Sequence, residues 1–138
     1  MPRKDFFHET VKRALEKDGW RITHDPLKIE FEGLRLMAGL GAERILAAER
    51  EGAKIAVEIK VFSGASKTSE LEKAFGQYDL YEMYLAEIEP ARQVFLAVSA
   101  ETFKMFFQKK AIDFAVKKKK LRLLVFNHET EEIVQWIS

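Results

Sequence analysis

Cysteine is absent from this 138-residue chain, which excludes disulfides, thiolate metal sites and cysteine nucleophiles in one step and suits a reducing compartment. Proline and glycine are scarce, at three and seven, and 47% hydrophobic with 33% charged residues excludes collagen-like and disordered low-complexity classes. No apolar run approaches the roughly 20 residues needed to cross a bilayer. The start, Met1 to Phe7, lacks the apolar core of a signal peptide, so a cytoplasmic protein with no membrane partner is expected. An excess of one charge is missing too: 23 basic and 22 acidic residues leave +1, so a DNA surface has to come from local clustering. Serine and the three histidines are too scattered for a catalytic triad, and there is no glycine-rich phosphate loop. The length fits one domain over residues 1–138 with a single core, and leaves a homo-oligomer open.

What is present is a regular alternation of elements. Asp5 is placed to cap a helix running to about Asp18, with Phe7, Val11, Ala14 and Leu15 on one stripe and Gly19 to end it. Trp20 opens extended chain, and Asp25-Pro26 marks a turn. Residues 28–32 alternate around Ile29 and Phe31, and a second alternation runs on from Leu34, Leu36 and Ala38. Ile45 to Glu49 reaches a turn at Glu51-Gly52, after which the Val57 strand makes a hairpin. Ser69 and Glu72 match a capping box for a helix to about Glu87, whose stripe is Leu71, Phe75, Tyr78 and Leu85. Gln93 to Val98 has the length of a buried strand, Ser99 caps further helix carrying Phe103, Phe106 and Phe107, and helix continues to Lys120. Leu121 to Phe126 and Glu131 to Ile137 read as a terminal hairpin. The economical packing is α/β, a mixed central sheet flanked by helices.

The chemistry concentrates on Val57-Glu58-Ile59-Lys60-Val61. Ile55, Val57, Ile59 and Val61 share one strand face and Glu58 and Lys60 the other. An isolated E-x-K is most often an incidental ion pair. Here it follows an antiparallel partner and precedes a capped helix, which resembles the PD-(D/E)XK restriction-endonuclease-like core. That resemblance implies Mg²⁺ on the Glu58 carboxylate and the Ile59 backbone carbonyl, with Lys60 orienting the attacking water. A second acid is then needed. Antiparallel pairing about Glu51-Gly52 sets Ile45 opposite Glu58 and Glu43 opposite Lys60, on the face of the site. Gly39 shares the parity of Glu43 but lies two same-face steps further away.

Gln77 and Tyr81 form Q-x-x-x-Y, whose i, i+4 spacing puts an amide and a phenol on one helix face. With the preceding E-x-K strand the pair resembles the Q-x-x-x-Y element of RecB-type nucleases. Glu9, beside His8 on the first helix, is similar in position to an extra metal-ligating glutamate of archaeal Holliday-junction resolvases. His24 and His128 have no ligand spacing between them. Lys117, Lys118, Lys119 and Lys120 are the one basic cluster. They suit a helix C-terminus, and they also suit DNA phosphate contacts.

Seven stretches carry a resemblance over the whole chain: Arg3-Lys4-Asp5-Phe6-Phe7-His8, Lys17 to Pro26, Leu40-Gly41-Ala42-Glu43, Ala47-Ala48-Glu49-Arg50, Val57 to Lys60, Gly76-Gln77-Tyr78 and Glu131 to Ile137. Together they resemble the XisH family, the fdxN element excision controlling factor proteins found mainly in cyanobacteria. The resemblance implies an endonuclease-like α/β fold and control of a programmed DNA rearrangement, alongside an XisI-like protein and a site-specific recombinase. It also implies an acidic slot at position 39, where this chain has Gly39. Three functions follow: a weakly catalytic or non-catalytic DNA-excision accessory protein, a Mg²⁺-dependent endonuclease using Glu58, Lys60 and Glu43, or a protein-only interaction module.

Overall fold

The computed structural model describes residues 3–36 and 45–138. Helix α1 (Arg3–Lys17) begins two residues before Asp5, which therefore lies inside the helix instead of capping it. Val11, Ala14 and Leu15 recur at helical spacing and are fully buried. The chain leaves α1 at Gly19, whose φ of +90° suits glycine. There the Trp20 N–H donates to the Leu15 carbonyl at 2.9 Å, the six-to-one bond of a Schellman cap.

Five strands follow: β1 (Arg21–His24), β2 (Ile29–Phe31), β3 (Leu34–Leu36), β4 (Ile45–Arg50) and β5 (Ala53–Ile59). Glu51-Gly52 has positive φ at both residues, the signature of a two-residue type I′ hairpin turn. It joins β4 to β5 in the register that the alternation predicts, with Ile45 opposite Glu58 and Arg50 opposite Ala53. Glu32-Gly33 makes the same turn earlier, so the alternation beyond Leu34 does not extend one long strand. Instead β2 and β3 pair as a separate two-stranded sheet, anchored by buried Ile29 and by Phe31 stacked on Tyr84 at 5.2 Å.

Helix α2 (Lys67–Ile88) carries the chain to β6 (Arg92–Ser99). Its cap is Ser66, whose hydroxyl accepts the Ser69 N–H at 3.2 Å, not the Ser69 and Glu72 box that the pattern predicts. The extended backbone of Ser66 places its hydroxyl over the first turn, and Glu70 accepts the Gly64 N–H at 2.9 Å to hold the approach. Ser99 caps the next turn, α3 (Ala100–Thr102), which runs through a π-helical segment at Phe103–Phe107. Helix α4 (Lys110–Lys119), β7 (Leu123–Asn127) and β8 (Glu132–Ile137) complete the chain.

The main sheet has the order β1-β4-β5-β6-β7-β8, parallel through β5, β6 and β7 and antiparallel towards both edges. The apolar runs of β6 and β7 are explained by this, because parallel strands are covered on both faces. On one face α1 and Trp20 pack over Leu46, Ile55, Val57, Ile59 and Phe95. On the other, Leu71, Ala74, Tyr78, Tyr81 and Leu85 of α2 cover Ala56, Val94, Leu96 and Val98. Alternation along β5 sends Val57 towards α1 and Glu58 towards α2. Among the described residues, no helix is long and apolar enough to cross a membrane.

Candidate metal and phosphate site

Strand β5 lies inside the main sheet, between β4 and β6. Glu58 lies between Ile45 on β4 and Leu96 on β6 and is 1% exposed. Lys60 is 7% exposed, and its N–H donates to the Ala97 carbonyl at 3.0 Å, carrying the β5–β6 pairing one residue past the strand. Glu58 and Lys60 are therefore both buried, unlike an incidental surface ion pair. Both are held in the layer between the sheet and α2, where a charge is costly to keep.

Helix α2 brings Gln77 and Tyr81 to the same layer, as the i, i+4 spacing predicts. Tyr81 is buried, and the Gln77 side-chain oxygen is buried with no hydrogen-bond partner among the described residues. One turn along, Tyr78 is fixed from outside the layer. Its hydroxyl accepts from the Arg122 backbone N–H at 3.3 Å and from the Arg122 guanidinium at 3.2 Å, while that guanidinium also donates to Glu82 at 2.8 Å. Burial pushes the Tyr78 phenol up despite the Arg122 contacts, so it stays neutral. Glu58, Lys60, Gln77 and Tyr81 thus share one sheet–helix layer. Gly39 and Glu43 lie outside the described residues.

Glu9 does not join that group. It sits on α1, which packs on the opposite face of the sheet, where it pairs with Lys12 at 3.9 Å and lies near His8 and Asp25, with one ligating atom from each of the three within 4.8 Å of the others. Asp25 already accepts from Lys12 at 2.9 Å and pairs with buried His8 at 2.8 Å. Burial pushes the Asp25 carboxyl up, but the hydrogen bonds from Lys12 and His8 outweigh it and hold the carboxyl below its ordinary value. In return, Lys12 is held above its ordinary value chiefly by its hydrogen bond to Asp25. Spacing gave no warning of this network, because His8 and Asp25 are brought together only by the return of the chain along β1.

The lysine cluster is divided. Lys117 pairs with Asp113 at 2.9 Å and Lys119 with Asp79, whereas Lys118 and Lys120 make no ion pair among the described residues. Lys120 closes α4 in a left-handed conformation, its N–H donating to the Val116 and Lys117 carbonyls. A cavity of about 410 Å³ opens beyond the carboxyl ends of β5 and β6, lined in part by Val61, Ser63, Lys67, Ser99 and His128. That is the edge at which open α/β sheets hold ligands.

Comparison with known proteins places this architecture. The sequence matches the family described as XisH protein over residues 1–134. The chain belongs to the XisH family. The crystal structure of an XisH family protein from Nostoc punctiforme PCC 73102 is 42% identical and superposes with a TM-score of 0.88, covering 96% of this chain and 99% of that one. The structure of an fdxN element excision controlling factor protein from Anabaena variabilis is 44% identical, with a TM-score of 0.89 over 97% of this chain and 99% of the other. No curated protein matches this XisH family chain.

Proposed function

We propose that this chain is a controlling factor for programmed excision of a DNA element, built on a restriction-endonuclease-like scaffold of PD-(D/E)XK descent and weakly catalytic or non-catalytic. It contacts DNA and acts alongside an XisI-like protein and a site-specific recombinase. The observation that carries the reading is the burial of Glu58 and Lys60 on the central strand. An acid and a base kept in a buried layer contribute little to stability, so their presence speaks for a site, and their 1% and 7% exposure speaks against rapid turnover on a bulky phosphodiester. Gly39 supports the same conclusion, since it offers no carboxylate where the family resemblance implies an acidic slot. The near relative described as an fdxN element excision controlling factor protein supports the biological role.

The test is fluorescence anisotropy with labelled linear and branched duplexes across a salt series. Affinity should fall linearly with salt on logarithmic axes, as phosphate contacts require. Failure of both DNAs to bind at low salt would end this reading and leave a protein-only module.

One observation favours a second reading, a Mg²⁺-dependent endonuclease. The buried Gln77 oxygen, without a hydrogen-bond partner among the described residues, is a hard donor in the same layer as Glu58, and oxygen donors are what Mg²⁺ takes. The Glu58 carboxylate and the Ile59 carbonyl would hold the ion, with Glu43 as second carboxylate; Glu9, on the opposite face of the sheet, would not reach it. When bound, Mg²⁺ lowers the pKa of a coordinated water and offsets phosphate charge. Lys60 would orient that water, and Gln77 and Tyr81 would brace it. Calorimetric titration with Mg²⁺ or Mn²⁺ decides this reading. Heat that Glu58→Ala abolishes supports it, and no heat from the wild type rejects it.

A further inference from the structure

Helix α4 presents a face that its own stability does not explain. Lysines in its last turn complement the helix dipole, but Lys109 and Lys110 stand at its start, where the dipole disfavours cations, and Lys109 makes no side-chain cap. Lys110, Phe114 and Lys118 follow one another at i, i+4 and i+8 and so share one face, spanning about 12 Å. Phe114, in the middle, is 66% exposed. These three residues, with Asp113 and Lys117, line a shallow cleft of about 420 Å³. Asp113 is paired with Lys117, so Lys110 and Lys118 are the cations of this face that make no ion pair among the described residues.

We infer that the α4 face formed by Lys110, Phe114 and Lys118 is a docking site for single-stranded DNA, one base stacking on the Phe114 ring while the lysines hold the phosphates on either side. The inference rests on the DNA reading above and narrows it to the strand form. Charge complementarity selects a polyanion. A single aromatic ring is far too small a patch for a stable protein interface, which buries on the order of 1,200 Å² or more. One ring between cations is, however, the unit from which stacking platforms for unpaired nucleotides are made, and a paired base in a duplex cannot reach it. The role suits an excision factor, because strand exchange exposes unpaired DNA.

The experiment compares a labelled oligo-dT with a blunt duplex of equal length, by anisotropy over a salt series, for wild type, Phe114→Ala, Phe114→Tyr and Lys118→Ala. Phe114 is exposed, so the variants should fold, and circular dichroism checks this. Phe114→Ala should weaken oligo-dT binding about tenfold or more and leave the duplex within about twofold, while Phe114→Tyr keeps wild-type affinity. Lys118→Ala should weaken both DNAs and reduce the salt slope by about one. DNA binding that Phe114→Ala leaves unchanged overturns the inference while sparing the DNA reading. Binding of neither DNA overturns both. Self-association that Phe114→Ala abolishes, with oligo-dT affinity unchanged, also overturns it and makes the face a contact between copies.

Discussion

Strand β5 has two faces, and they do different work. Towards α1 it offers Ile55, Val57 and Ile59 to a layer of apolar side chains that includes Leu46, Phe95 and Phe126. Towards α2 it offers Ala56 and then Glu58, with buried Lys60 following and Gln77 and Tyr81 on the helix above. The first face is the arrangement that maximises apolar burial. The second gives up part of that gain to keep ionisable and amide groups out of water. The lesson is that apolar packing and buried ionisable groups are divided between opposite sides of the same few residues, so a change on one side should read out differently from a change on the other.

The largest expected effect is on the α1 face. Leu46→Ala would open a cavity at a fully buried position and should cost about 2–5 kcal/mol in urea unfolding. If the cost were well below that range, the α1 face would not be the stabilising one. On the α2 face the expectation reverses. Replacing Glu58 and Lys60 together by Met removes both buried charges without stranding either, and should leave stability unchanged or raise it by about 1–4 kcal/mol. A loss matching that of Leu46→Ala would erase the contrast between the faces.

A smaller effect sharpens the comparison at the edge of α1, where polar groups are part-solvated and paired. Asp25→Asn should cost about 1 kcal/mol at neutral pH by weakening the bonds from Lys12 and His8. The folded Asp25 carboxyl titrates below its ordinary 3.8. Its contribution is therefore present above that pH and fades as the pH falls through the lower folded value. Wild type and variant should converge in acid, and a difference that persists there would show that Asp25 acts through packing instead.

Much of the fold was legible because its signals are local. The Glu51-Gly52 turn fixed the β4–β5 register to the residue, since a two-residue hairpin leaves no freedom in pairing. Apolar runs marked β6 and β7, and i, i+4 spacing put Gln77 and Tyr81 on the buried side of α2. Caps were less legible: Ser66 and Ser69 are both competent, and only the extended backbone at Ser66 and the Gly64 to Glu70 bond choose between them. The β2–β3 hairpin was missed although the apolar positions change phase across Glu32-Gly33, from Ile29 and Phe31 to Leu34 and Leu36, which is the mark of a two-residue turn. Burial of Glu58 could not be read from alternation, which shows that it faces away from Val57 but not that α2 covers that side. The His8, Lys12 and Asp25 network and the exposure of Phe114 are tertiary facts with no periodic trace.

A supercoiled-plasmid assay with added Mg²⁺ tests the proposal that the α2-face residues form a remnant site on a DNA-contacting scaffold. On that proposal, wild type and Glu58→Ala alike should retard the plasmid at low salt and leave it largely supercoiled. Rapid Mg²⁺-dependent conversion of the plasmid to nicked and linear forms by the wild type, lost in both Glu58→Ala and Lys60→Ala, would contradict the remnant-site reading and establish a working nuclease.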